Sequence, residues 1–265
     1  MRTVITHFHN EAFLLPFWLR HHVPLFDHGI LIDHHSTDGS ADIARDLAPH
    51  WTLVRSETQD FDAIDCDFEV MLYERTLPGW KIALTTTEFL CCERLALVEA
   101  LAANNGVRAL CFDAAVMVDP PGVLLPPVTN DIPLVVQRHH GYLEREHPTL
   151  LGRIPYHNRI YHRFSHGSYH PGRHLSNRPA SRMDGLGMLL WFGFSPWEER
   201  FLARKRQIAS RVPEADRVSG RGRQHLHSDD ERQALRARIA VHATDLRRVP
   251  LFLETTGADP VPAAA

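Results

Sequence analysis

Apolar and polar positions along the first 115 or so residues alternate in blocks that fit short buried strands separated by helices. Apolar runs at residues 2–6, 29–32, 51–55, 80–85 and 107–112 read as strands. Between the first two, residues 11–23 carry Phe13, Leu14, Phe17, Trp18 and Leu19 at helical spacing. Gly39 and Ser40 open a second helix over 41–47, which Pro49 closes. Residues 61–77 predict a third, with Phe68, Met71 and Leu72 as its apolar positions and Pro78-Gly79 as its stop. A fourth, 93–103, ends at Asn104-Asn105-Gly106. Strands that alternate with helices predict an α/β fold with a mainly parallel sheet.

Past Pro120 and Pro121 the texture changes. Pro126, Pro127 and Pro133 punctuate loops, and residues 134–138 read as a further strand. Residues 144–182 are polar, aromatic and loop-rich. The run 186–194 is the longest apolar stretch, short of the roughly 18–20 residues a bilayer span needs, and reads as a buried segment. A basic helical pattern follows at 197–211, a flexible Gly-Arg stretch at 219–223, and a late helix at 229–243. The chain therefore divides into a half at 1–120, a loop-rich half at 121–256, and a tail at 257–265 expected to be disordered.

Composition narrows the function classes. Of 265 residues, 29 are Lys or Arg and 32 are Asp or Glu, for a net charge of −3. That balance argues against a surface built to grip nucleic acid. Cys66, Cys91, Cys92 and Cys111 lack paired metal-site spacing and read as reduced thiols of a cytoplasmic protein. Met1-Arg2 runs straight into the first strand, so no signal peptide is expected. Histidine is the outlier: of 19 copies, none lies between Cys66 and Cys111, whereas residues 139–174 are crowded with them.

The chemistry-bearing residues cluster at strand ends. His9, Asn10 and Glu11 follow the first strand; Asp33, Ser36, Asp38, Gly39 and Ser40 follow the second. In an open parallel sheet both sets fall at the carboxyl edge, where ligands of such folds bind. An acid at Asp33 is placed to hold a ribose or base, and Asn10-Glu11 with nearby amides can face a pyrophosphate. Each is also an ordinary turn or capping residue, Asn10 and Asp38 as helix caps and Gly39 as a turn. The pairing of Asn-Glu after the first strand with D-x-x-S-x-D-G-S after the second resembles the family 2-like glycosyltransferases of GT-A fold. The resemblance implies a Rossmann-like, mixed and mainly parallel sheet flanked by helices, with a nucleotide-sugar donor and inversion at the transferred sugar. It further implies that Asp33 contacts the base or ribose and that Glu11 shapes the nucleotide pocket.

One part of the family pattern is missing. Members carry D-x-D at the end of the fourth strand, where the carboxylates hold Mg²⁺ or Mn²⁺ against the diphosphate. Here Thr85 and Thr87 take those positions, and Glu88 alone keeps a charge as the remaining metal candidate. Three accounts stay open: Glu88 holds a metal together with later histidines; Arg and His side chains neutralise the diphosphate without metal; or the chain binds but does not transfer. His162, His166, His170 and His174 recur every four residues, but Gly167, Pro171 and Gly172 break any helix that would align them. Arg159, Arg163, Arg173 and His174 make this stretch a candidate diphosphate- or acceptor-facing loop, against the plain alternative of a solvated loop. For the general base that an inverting transfer requires, Asp113, Asp119, Asp184, His170 and His174 are eligible, with Asp184 and His170 carried forward. The 219–223 stretch reads as a linker or a mobile lid. The 197–211 helix reads as a solvated face or a contact with anionic lipid or a lipid-linked acceptor, which would make the protein peripheral to the membrane. Two rivals remain: a nucleotide- or sugar-binding relic, and a metal-dependent hydrolase built on His7 and His9, which lacks histidines between His50 and His139 for its middle ligands.

Overall fold

The computed structural model describes residues 1–151 and 159–261. In chain order the elements are β1 (Arg2–Phe8), α1 (Leu15–His22), β2 (His28–Asp33), α2 (Ser40–Leu47), β3 (Thr52–Arg55), α3 (Ala63–Thr76), β4 (Trp80–Ala83), β5 (Glu88–Cys91), α4 (Leu95–Asn104), β6 (Ala109–Cys111) and β7 (Asp113–Val118). Then come α5 (Leu134–Gln137), β8 (His140–Leu143), β9 (Tyr161–His162), β10 (Ser181–Arg182), β11 (Met188–Phe194), α6 (Glu199–Arg206), α7 (Glu214–Ser219), α8 (Arg223–Leu226), α9 (Asp229–Ala240), β12 (Thr244–Asp245) and α10 (Pro250–Thr256).

The first sheet has seven strands in the order β10-β6-β9-β4-β1-β2-β3. All run in one direction except β9, which is antiparallel to both β4 and β6. β1, β2 and β4 are buried along nearly their whole length, the polar Thr3, Thr6 and Lys81 included, as interior strands of a parallel sheet are. A second, mixed sheet has five strands, β12-β8-β7-β11-β5. The α/β, mainly parallel architecture expected from the alternating pattern is present. One large apolar core joins Val4, Trp18, Leu31 and Ile82 of the first sheet's side to Phe89, Leu190 and Phe192 of the second. Among the described residues no helix is long and apolar enough to cross a membrane, and the 186–194 run forms the buried strand β11.

Two local expectations fail. Residues 134–138 form the short helix α5 instead of a strand. Pro133 sits at its start and accepts the Val136 N–H, while Gln137 Nε2 turns back to the carbonyls of Thr129 and Ile132 at 2.8 and 2.7 Å. That local closure outcompetes strand pairing. In α3 the helix is present, but its apolar positions point outward. Ile64, Phe68 and Leu72 are exposed, whereas Asp67, Glu69 and Glu74 are buried against cationic and histidine partners. Hydrophobic spacing orients a helix only when its polar face lacks buried partners, and here that face has them.

Candidate active site

The loops that leave β1 and β2 are locked into one frame at the carboxyl edge. Asn10 adopts a left-handed backbone (φ 51°), a conformation Asn tolerates better than most residues. Its N–H donates to Ser36 Oγ at 3.0 Å, and its Oδ1 accepts the Thr37 N–H at 2.6 Å. Glu11 is buried, and its N–H donates to Ser40 Oγ at 2.8 Å. Asp38 binds both loops, accepting Ala12 N–H at 3.0 Å on one oxygen and Ser40 Oγ–H at 2.5 Å on the other. Asp33 is half-buried and accepts the Ser36 N–H at 2.9 Å. Asn10, Glu11, Asp33 and Asp38 therefore do lie together, and the capping role expected of Asn10 and Asp38 is not what they do: Leu14 and Gly39 hold the N-cap positions of α1 and α2, without side-chain cap bonds, while Asn10 and Asp38 tie the two loops together.

The later helices close over this frame, which the sequence did not reveal. Arg204 Nε donates to Glu11 Oε2 at 2.5 Å. Gln207 exchanges two 3.0 Å hydrogen bonds with Asn10. Arg211 donates to the carbonyls of His34 at 2.9 Å and Gln59 at 2.6 Å. On the basic 197–211 segment Arg204 turns inward to Glu11, whereas Arg200 and Arg206 stay exposed, Arg206 pairing at the surface with Glu199 and Asp229. Lys205 Nζ lies 4.9 Å from the Phe201 ring centre, and burial, with Arg204 and Arg232 nearby, lowers its pKa to about 7. Under this cover, burial and then the charge of Arg211 push the His34 imidazole down to about 3.

Beside the frame, the Thr85–Glu88 turn occupies the end of β4. Thr85 and Thr87 hydroxyls bond each other at 2.9 Å. Glu88 accepts the Thr85 N–H at 2.7 Å on Oε2, and Arg159 meets its Oε1 at 2.8 Å through both Nε and Nη2. Two neutral hydroxyls and a single carboxylate do not fit Mg²⁺ or Mn²⁺, which seek several anionic oxygens.

The arginine loop divides. Arg159 also donates to the Gly172 carbonyl at 2.5 Å, and Gly172 N–H donates to Asp67 Oδ2 at 2.7 Å. Arg173, left-handed and buried, pairs with Asp67, and its buried Nε has no hydrogen-bond partner among the described residues. His174 packs beside Gly172. These residues gather next to Glu88. Arg163 does not: β9 runs antiparallel, so Arg163 N–H bonds Arg108 ahead of β6, and its guanidinium lies 5.9 Å from the Trp80 ring centre at the amino edge. His170 is exposed on the Tyr169–Ser176 hairpin. Asp184 is exposed beyond β10, with β6, β9 and β4 between it and β1, and pairs with Arg182 at 3.3 Å. Arg178, His162 and Tyr169 surround the buried Glu74, a second polar cluster that the sequence reading missed. His7 and His9 take separate partners, Glu69 and the His34 carbonyl, both at 2.8 Å. The 219–223 stretch joins α7 to α8, and Arg221 Nε donates to Asp216 at 2.6 Å.

No protein-family model matches the chain, and no curated protein matches it. Among solved structures, residues 1–349 of S. aureus TarS in complex with UDP-GlcNAc are 15% identical over 81% of this chain and 68% of that one, with a TM-score of 0.46. The UDP complex of the same region is 16% identical over 97% and 73%, with a TM-score of 0.43. A mycobacterial protein is 13% identical over 81% and 76%, with a TM-score of 0.45. The chain spans 39% of the longer TarS structure. Likenesses at this level carry no argument about activity.

Proposed function

We propose that the protein is a nucleotide-sugar-dependent glycosyltransferase of GT-A type that works without a metal at the strand-end turn. The observation that carries this reading is the frame in which Asn10, Ser36, Thr37, Asp38 and Ser40 join the loops of two adjacent parallel strands. In an open α/β sheet the nucleoside binds in the crevice at the carboxyl edge by the topological switch point, which here falls between β1 and β4 beside this frame. Asp33 supplies the carboxylate for the base or ribose. The diphosphate lies toward Arg159 and Arg173, whose buried Nε has a donor to spare. His170 shares a hairpin with Arg173, which supports it over the distant Asp184 as the base that takes the acceptor hydroxyl's proton. In an inverting transfer that oxygen bonds the anomeric carbon as the nucleoside diphosphate leaves. The acceptor is a glycan or a lipid-linked glycan.

The Thr85–Thr87 pairing supports a second reading, a relic that binds a nucleotide or sugar without transferring it. Release of nucleoside diphosphate from UDP- and GDP-sugars, with and without oligosaccharide acceptors, separates the two. Turnover that persists in EDTA supports the metal-free transferase. Binding with no turnover supports the relic, and neither binding nor turnover overturns both.

A further inference from the structure

His139, His140 and Asp245 lie in the second sheet, outside the crevice. The register of β8 with β12 sets Asp245 directly across from His140, and Leu246 N–H donates to the His139 carbonyl at 2.9 Å. Residues about a hundred positions apart in the chain are thus held side by side by backbone pairing. One ligand atom from each of the three side chains lies within 4.8 Å of the others, and His139 Nε2 is 3.9 Å from Asp245 Oδ1. All three residues are half-buried, so an ion could reach them and would be partly shielded from water.

The surroundings orient these donors. His139 Nδ1 lies 3.3 Å from the Val136 carbonyl, an acceptor only. Nδ1 therefore carries the proton, and the Nε2 lone pair faces Asp245. Arg247 fixes the carboxylate, with Nε 3.0 Å from Oδ1 and Nη2 2.7 Å from Oδ2. His140 Nδ1 is buried and, among the described residues, has no hydrogen-bond partner, and the His140 ring centre lies 4.7 Å from that of His139. Imidazole bonded through its other nitrogen to a backbone carbonyl, next to a hydrogen-bonded carboxylate, is the outer arrangement of metal ligands.

We propose that His139, His140 and Asp245 bind a divalent transition-metal ion of the zinc class, which staples β8 to β12. Two imidazoles and one carboxylate suit zinc or cobalt and disfavour the hard ions Mg²⁺ and Ca²⁺. Ligand atoms around tetrahedral zinc lie about 3.3 Å apart, so small side-chain rotations complete the set and leave the fourth position to water. Arg247 adds a positive charge nearby, which opposes the cation and lowers the affinity. The site is independent of the proposed transferase chemistry.

The test is titration of the metal-stripped full chain with Zn²⁺ and Co²⁺, read by calorimetry, visible absorption and thermal melting. The expected result is one micromolar equivalent, tetrahedral Co²⁺ bands, and a melting temperature that rises with Zn²⁺. Asp245→Asn, which keeps the side chain's shape, and His140→Gln should each weaken binding at least about tenfold and abolish the Zn²⁺-dependent rise. His50→Gln, on an exposed histidine elsewhere, should bind as the parent does. Absence of a stoichiometric equivalent, or bands and melting shifts that survive both site variants, would overturn the proposal. Because melting is read with and without metal, a variant that is merely less stable still reports whether Zn²⁺ stabilises it.

Discussion

Arg159 reaches across 71 positions of sequence to place two guanidinium nitrogens 2.8 Å from one oxygen of Glu88, with the two side chains only 4% and 1% exposed. A buried charge is tolerated because its partner is present. Removing one member leaves the other desolvated and unpaired, at a cost of about 3–5 kcal/mol. Glu88→Ala should lower the unfolding free energy by about that amount in urea denaturation, with metal present or absent. A loss below about 1 kcal/mol would show that the pair is not a buried structural contact.

His22 predicts how the protein meets acid. Its Nδ1 lies 2.9 Å from the Trp18 carbonyl and must donate, while its Nε2 accepts the Leu90 N–H at 3.2 Å. Protonating Nε2 would desolvate a charge and cost Leu90 its acceptor, so burial, and then His21, holds the pKa well below 6.5. Burial lowers His7, His21 and His162 in the same direction. The unfolded chain then binds protons more readily than the fold does. Stability is therefore complete above about pH 6.5 and falls as the pH drops from there toward the folded values. Urea midpoints should decrease from pH 7 to pH 5, and the His22 ring should keep its neutral NMR shift at pH 5. A ring that titrates near 6.5 would contradict the account.

Gly29 tests the packing of β2. A Cβ there would lie 2.1 Å from the Trp51 ring, which is itself buried. Gly29→Ala should cost about 1–3 kcal/mol through overpacking, seen as a lower melting temperature. Gly39 has open space around it but a φ of +84°, so Gly39→Ala strains only the backbone. Unchanged stability in Gly29→Ala would place Trp51 elsewhere.

Arg204 and Glu11 test whether α6 covers the crevice in solution. Their 2.5 Å contact joins residues 193 positions apart, with side chains 14% and 9% exposed. A double-mutant cycle of Arg204→Met and Glu11→Gln should give a coupling of about 1–3 kcal/mol. Additive effects would mean that the helix is not seated there.

The alternation of β1 to β4 with α1 to α3, and of α4 with β6, was legible because short buried runs stand between stretches of helical spacing and turn residues, whereas β5, which follows β4 with no helix between, was not. Asn10, Glu11, Asp33 and Asp38 could be located for the same reason: each follows such a run. What the sequence hid depends on distant partners. Nothing near Arg204, Gln207 or Arg211 says that they fold onto residues 10–34, and local spacing made α3's apolar face look like its buried one. Arg163 lies apart from Arg159 because the antiparallel course of β9 carries the chain from the carboxyl edge to the amino edge within four residues, which local sequence does not signal. The β8–β12 pairing that assembles His139, His140 and Asp245 likewise has no sequence signature.

Calorimetric titration of UDP and GDP, with and without Mn²⁺, into the parent chain and Asp33→Ala tests the central claim most directly. The account predicts micromolar binding of one nucleotide that Mn²⁺ leaves unchanged. Losing the Asp33 carboxylate should weaken it about 10- to 100-fold, the worth of a charged hydrogen bond. Absence of binding to either nucleotide, binding that needs Mn²⁺, or full affinity in Asp33→Ala would contradict it.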